Sequence, residues 1–318
     1  MKQLTIDSSY TIALPGNAHI FWLMFRGSVA NGTYADDSED IDLIGAYIAP
    51  ANYYLGVAPY RETFEFKHHP YDVVLYEFKH LIRLLLKGNP NVMSMLWTPK
   101  EFTKLSSPIS QTIVNNHALF IGRHVCSAFT GYAHSQLRNM KKYSADDLAR
   151  FIGLDETLIR RKIHPANAVG NPNMMLAAEY EGVSDEELTK AWTELGNRLP
   201  GIGRLGAKRK ALILKYGWDV KAAAHTIRLL CMLRDYMKTS EIVPYRPERD
   251  FLIKIKQGAV SVEDVMRMIG GLLAQIEELR VASKMRPDPE TDGVDRLVVE
   301  LLKKRVDEEL AERALAVV

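Results

Sequence analysis

Residues 26–48 read RGSVANGTYADDSEDIDLIGAYI, and the residue types and spacing in this stretch point to chemistry. Asp40 and Asp42 are separated by one isoleucine and lead straight into Leu43-Ile44. Residues two apart on a strand point to one face, so the pair presents two carboxylates together if the extended conformation already holds at Asp40. Carboxylates at the mouth of a buried strand are costly unless a cation compensates them. Hard divalent ions such as Mg²⁺ take oxygen ligands, often only one or two protein carboxylates, with substrate phosphates filling the shell. A third carboxylate on a neighbouring strand would let two ions share the site, one activating an attacking hydroxyl and one steadying a leaving pyrophosphate. Asp72, which opens YDVVLY, is the best candidate. Gly27 and Ser28 supply the complementary part: glycine permits close backbone approach to a ligand, and the serine hydroxyl with the following amides can donate to phosphate oxygens.

These residues need a sheet to hold them. The run HIFWLMF from His19 to Phe25 reads as a buried strand stopped by Gly27, Asp42 to Ile48 as a second, and Tyr71 to Tyr76 as a third, with ETFEFKHH before it as a further sheet segment. From Glu77 the period changes. Phe78, Leu81, Ile82, Leu85 and Leu86 recur at three and four, giving an amphipathic helix closed by Gly88. Beyond Pro99 the pattern is mostly helical, with helices expected at 109–142, 146–163, 174–180, 185–199, 208–238, 262–284 and 294–315. The fold class is therefore α+β: a small mixed sheet with helices over residues 1–100, followed by a mostly α-helical domain over 101–318. Gly-Asn-Pro-Asn occurs at 88–91 and at 170–173 and reads as helix-start chemistry, with Asn as cap and Pro at the first helical position.

An apolar strand, Gly-Ser, a spacer and then Asp-x-Asp between apolar residues resembles the DNA polymerase β-like nucleotidyltransferase superfamily. YDVVLYEFKHLIRLLLKGNPNVMSMLW and YGWDVKAAAHTIRLL narrow the resemblance to its RNA-ligase-associated branch. The resemblance implies a nucleotidyltransferase sheet with a helical domain, Mg²⁺-dependent (or Mn²⁺-dependent) transfer from an NTP, and a role in RNA end repair, with an RNA ligase or another repair protein as a possible partner. It matches Asp40 and Asp42 to the metal aspartates, Gly27 and Ser28 to the phosphate-side pair, and Asp72 to the third carboxylate, with Glu77 or Glu65 as replacements should Asp72 face away.

Lys221, His225 and Arg228 fall at spacings of four and three, on one helix face, with alanines at 222–224. A cationic row bounded by small residues suits a triphosphate, and the resemblance implies that this helix closes over the nucleotide. From Arg198 to Lys221 seven basic residues (Arg198, Arg204, Lys208, Arg209, Lys210, Lys215, Lys221) stand against one acid, Asp219. Arg138, Lys141 and Lys142 form a smaller cluster, and Tyr143 and Tyr216 offer stacking surfaces, so an RNA acceptor is expected along the 198–221 stretch.

Composition removes other classes. An apolar fraction of 47% with 25% charged residues describes a globular chain rather than a disordered one, and a net charge of +2 confines any basic surface to local patches. Cys126 and Cys231 sit in apolar helical surroundings and suit a reducing cytosol. No run approaches the roughly 18 apolar residues of a membrane span, and the N-terminal stretch has no signal-length apolar core. The GIGRLG segment at 201–206 satisfies a dinucleotide-binding pattern but follows a helix end, Leu199-Pro200, and His68-His69 has no further His or Cys at zinc-ligand spacing. Asp36, Asp37 and Glu39 read as loop solvation. The expected activity is transfer of a nucleoside monophosphate from an NTP to a hydroxyl, an RNA end first. Adenylylation of a protein or small molecule, or nucleotide and RNA binding without turnover, are the alternatives.

Overall fold

The structure, a computed structural model, describes residues 3–315 apart from 8–9, 17, 35–39, 58 and 141–206. The expected helices at 146–163, 174–180 and 185–199, the second Gly-Asn-Pro-Asn, the GIGRLG segment, Lys141, Lys142, Tyr143, Arg198 and Arg204 lie outside the described residues. The fold is α+β. A five-stranded mixed sheet runs in the order β5 (Thr63–His68), β6 (Tyr71–Glu77), β4 (Ile41–Ile48), β3 (His19–Phe25), β7 (Thr103–Leu105). β4 and β6 are parallel and the other neighbours antiparallel.

β3 reads as continuous apolar residues rather than as an alternation because it is covered on both faces: Ile20 to Met24 are all buried. On one face Leu23, Leu43, Tyr47, Val73 and Leu75 form a core with Ile6, Ile12 and Leu14, contributed by and just after the hairpin β1 (Gln3–Asp7) and β2 (Tyr10–Ala13). The register of two residues per repeat puts Asp42, Ile44, Ala46 and Ile48 on the opposite face. There Phe78, Leu81, Ile82 and Leu85 of α3 (Phe78–Leu86) are buried, with Phe78 tilted against Phe21 at 6.0 Å between ring centroids. α1 (Gly27–Asn31) and α2 (Ala51–Leu55) are single turns following β3 and β4. α4 (Pro90–Met93) starts as expected: the Asn89 side chain accepts from the amides of Asn91 and Val92, with Pro90 at the first turn.

The helix expected over 109–142 is two, α5 (Pro108–Asn115) and α6 (His124–Asn139), separated by a short 3₁₀ turn at His117–Phe120. The apolar period runs on through the break, and the pairing of Arg123 and His124 amides with the carbonyls of Arg286 and Pro287 is what the local pattern could not reveal. Likewise the helix expected over 208–238 is α7 (Ala207–Tyr216) and α8 (Val220–Thr239), parted at Gly217-Trp218-Asp219, where the Asp219 carboxylate caps α8 by accepting from Ala222 N–H at 2.8 Å. α9 (Arg249–Lys256), α10 (Val262–Ala282) and α11 (Thr291–Leu315) complete the described helices. None of the described helices is long and apolar enough to cross a membrane.

The chain divides into two compact units. The first takes residues 1–130, 232–249 and 276–318, and the second takes 131–231 and 250–275. The first therefore contains the whole sheet and also the late segment that carries α11, whose buried Glu309 accepts the Ala51 amide of α2 at 3.0 Å across 258 residues of sequence. A division of labour between 1–100 and 101–318 stands as a functional proposal.

Candidate active site

β4 begins at Ile41, one residue after Asp40, and its register against β6 pairs Asp42 directly with Asp72. Paired residues of neighbouring strands face the same side, so these two carboxylates are side-by-side neighbours at one end of the sheet. The Asp72 carboxylate makes no hydrogen bond or ion pair among the described residues. Asp40 is half exposed, with Oδ1 3.8 Å from Nδ1 of His69 in the turn between β5 and β6. His68 stacks on Tyr10, with ring centroids 4.6 Å apart.

Of the alternative third carboxylates, Glu77 is excluded by its surroundings. It is fully buried and caps α3, accepting from the His80 amide at 3.0 Å and from the Tyr54 hydroxyl at 2.5 Å, and it sits five positions along β6 from Asp72. Glu65 is exposed and pairs with Val74, two residues along β6 from Asp72. Lys67 is the residue of β5 opposite Asp72.

Gly27 shows why the chain needs glycine beside Asp42. Its φ is +63°, in the left-handed region, and a Cβ placed there would lie 2.3 Å from Asp42 Oδ2. The obstacle is the far end of a carboxylate side chain, so in Gly27→Ala it is Asp42 that must move. We expect that variant to lose about 1 kcal/mol of stability from the backbone conformation and, on the sequence expectation that Asp42 is a metal ligand for nucleotide transfer, to lose that activity by roughly 100-fold. A thermal melt alongside a transfer assay checks this, and an activity loss no larger than the stability loss implies would refute it. Ser28 follows in the first turn of α1. Its hydroxyl makes no hydrogen bond among the described residues, while its carbonyl accepts the Thr33 amide at 2.9 Å.

The far end of α1 is held by charges. Gly32 caps it with φ +71°, against the Tyr245 ring, and the Arg246 amide donates to the Asn31 carbonyl at 3.3 Å. The fully buried Arg246 guanidinium reaches Asp235 at 2.6 Å, Glu248 at 2.8 Å and the Val243 carbonyl at 2.9 Å, and Arg234 bridges the same two acids. Burial alone would push the Asp235 carboxyl up, but hydrogen bonds from Arg246 and Arg234 outweigh it and hold the carboxyl below its usual range.

Sequence reasoning missed Arg26. The antiparallel register of β3 and β4, continued one step past Phe25–Leu43, sets Arg26 beside Asp42, and its amide donates to the Asp42 carbonyl at 2.9 Å. Its Nη2 lies 3.7 Å from Asp42 Oδ1, and its Nε is buried with no hydrogen-bond partner among the described residues. One row across the sheet thus reads Arg26, Asp42, Asp72, Lys67. The signal was the residue just before Gly-Ser, one register step from the aspartate.

A divalent ion is tested by this donor set. Among the described residues no three His, Cys, Asp or Glu side chains form a ready-made cluster. Asp42 and Asp72 nevertheless offer adjoining hard oxygen donors, which fits an ion that draws its remaining ligands from water and phosphate.

The second unit is described separately. Within α8, Ala222, Ala223 and Ala224 are buried, so they pack rather than line an open groove, while Lys221 is exposed. Arg228 Nη2 is 3.1 Å from His225 Nδ1. A guanidinium only donates, so Nδ1 accepts and the neutral ring carries its hydrogen on Nε2, which is buried without a partner among the described residues. Burial first, then Arg228, Arg209 and Lys221, keep the ring well below its ordinary pKa. Two expectations for the basic stretch are corrected here. Arg209 is ion-paired to the buried Asp219 and so helps cap α8, and Tyr216 is buried, in contact range of Gly258, with Lys215 over its ring, so it offers no stacking face.

No curated protein and no solved structure matches the chain. A family model does, over residues 2–300, a span that includes the Gly-Ser turn, all three aspartates and the α8 cations. The chain belongs to the RNA repair pathway DNA polymerase beta family.

Proposed function

We propose that the protein transfers a nucleoside monophosphate from an NTP to a hydroxyl, an RNA end in the first instance, using Asp40, Asp42 and Asp72 to hold Mg²⁺ or Mn²⁺. The observation that carries this reading is the Asp42–Asp72 register beside a glycine whose missing side chain leaves room for the Asp42 carboxylate. When bound, the ion supplies charge neutralisation at the phosphates and a more acidic acceptor hydroxyl. The chain's own residues do the rest. Gly27 and Ser28 give the triphosphate a close backbone approach and a hydroxyl donor. From their spacing in the sequence, Lys221, His225 and Arg228, which belong to the second unit, are proposed as phosphate-binding residues in their own right, and the His225 N–H, with no partner among the described residues, is a group that an anionic oxygen would satisfy. Positioning and electrostatic stabilisation suffice, so no covalent enzyme intermediate is required.

RNA as the acceptor is supported by the family's description as an RNA repair pathway family and by the basic stretch from Arg198 to Lys221, with Arg209 committed to Asp219. A cytosolic setting and a repair partner such as an RNA ligase complete the proposal. Incubation with each α-labelled NTP and Mg²⁺ or Mn²⁺, against RNA with free 3′ ends, a protein panel and small hydroxyl compounds, tests it. We expect label on the RNA 3′ end. Label on protein or on a small molecule would replace the acceptor, and NTP binding without any transfer would replace enzyme with binding protein.

A further inference from the structure

Arg26 has two features that its place at the end of β3 does not require. Its guanidinium stands by a carboxylate at 3.7 Å, too long for a tight fork, and its Nε is buried with nothing to donate to among the described residues. Arg26 stands at the N-cap position of α1, where a guanidinium, having no acceptor, cannot cap the helix amides, so its side chain is not spent on securing the turn. Both side chains are partly accessible, at 26% for Arg26 and 34% for Asp42, so either can be reached by a ligand.

We propose that Arg26 is an exchange residue: its guanidinium offsets the Asp42 charge in the ligand-free protein, gives that carboxylate up to the divalent ion, and turns its Nε and Nη2 donors onto a phosphate oxygen of the incoming nucleotide. The inference rests on Asp42 being a metal ligand. A guanidinium presents two parallel N–H donors that match phosphate, and the unused Nε is half of that fork. The row Arg26, Asp42, Asp72, Lys67 makes the exchange electrostatically sensible. Two adjoining carboxylates flanked by cations are tolerable without an ion, whereas an ion arriving with phosphates brings both the charge that replaces Arg26 and the anion that receives it.

The exchange makes the two affinities move in opposite directions, which a structural role would not do. Mn²⁺ binding to the nucleotide-free full chain is followed by electron paramagnetic resonance, and binding of Mn²⁺-tripolyphosphate by calorimetry. Arg26→Gln is expected to bind Mn²⁺ alone roughly two- to fivefold more tightly, because a partly exposed competing ion pair is gone. The same variant should bind Mn²⁺-tripolyphosphate about tenfold or more weakly. Arg26→Lys keeps the charge without the fork, so it should hold Mn²⁺ as the parent does and still lose tripolyphosphate affinity. Affinities that shift together or not at all in Arg26→Gln, or full tripolyphosphate binding in Arg26→Lys, would overturn the proposal. Asp42→Asn separates the two failures: Mn²⁺ binding that survives it removes the carboxylate reading itself, and the exchange with it.

Discussion

Asp42→Asn should reduce nucleotide transfer by about three orders of magnitude while leaving the thermal midpoint nearly unchanged, about 4 kcal/mol of lost transition-state stabilisation. The change conserves size, keeps the β4 backbone that pairs with Arg26 and with β6, and removes only the charge that an ion would use. It also removes the partner of Arg26, but that contact is long and partly exposed, so the fold loses little. Asp40→Asn should follow it. Asp72→Asn is expected to differ in kind, retaining binding of Mg²⁺ with NTP and losing turnover, since its proposed role is on the acceptor side. Transfer at parental rate in Asp42→Asn, measured as label incorporated per enzyme per minute, would remove the carboxylates from the reaction.

The second large effect is on stability. Arg246→Met should destabilise the first unit by about 3 kcal/mol, because removing one partner of a buried ion network leaves the remaining charges uncompensated. Arg234 still bridges Asp235 and Glu248, which keeps the loss toward the lower end, but the Val243 carbonyl also loses its donor. Arg234 is about a quarter exposed, so Arg234→Met should cost less than half as much. Denaturant midpoints of the two variants compare them directly, and equal losses would refute the claim. The pH sign follows from the depressed Asp235 carboxyl: its contribution is present above the ordinary carboxylate pKa of about 4 and is lost as pH falls through the lower folded value, and Arg246→Met should flatten that acid limb. Because the Arg246 amide holds the Asn31 carbonyl, the variant should also loosen α1, so nucleotide affinity falls along with stability.

What could be read from the chain was local. HIFWLMF announced a strand buried on both faces, the shift of period after Glu77 announced α3, and Asn89-Pro90 announced a cap, because each rests on neighbours within a few residues. Asp40, Asp42 and Asp72 could be singled out as candidates for the same reason. That Asp72 is the register partner of Asp42 needed the strand order, since β5 and the α2 turn intervene in sequence. Arg26 was passed over although it stands beside Gly27, because only the antiparallel pairing of β3 with β4 brings it to Asp42. Arg209 and Tyr216 were read as surface on composition. The capping aspartate at 219 and Gly258 take them inward, and neither contact leaves a trace in hydrophobic period.

The bond from the Ala51 amide to Glu309 also sets a schedule. A chain emerging from a ribosome at about 5–20 residues per second exposes β4 and α2 on the order of ten seconds to a minute before Glu309 exists to meet them. Closing so long a loop adds only a slowly growing entropic cost, so the contact is affordable at equilibrium but late in time. The sheet that carries the aspartates would then wait, incompletely covered, until the segment around Glu309 has been made, and a polypeptide cut short before it would carry the Asp-x-Asp motif without the helix that finishes its support.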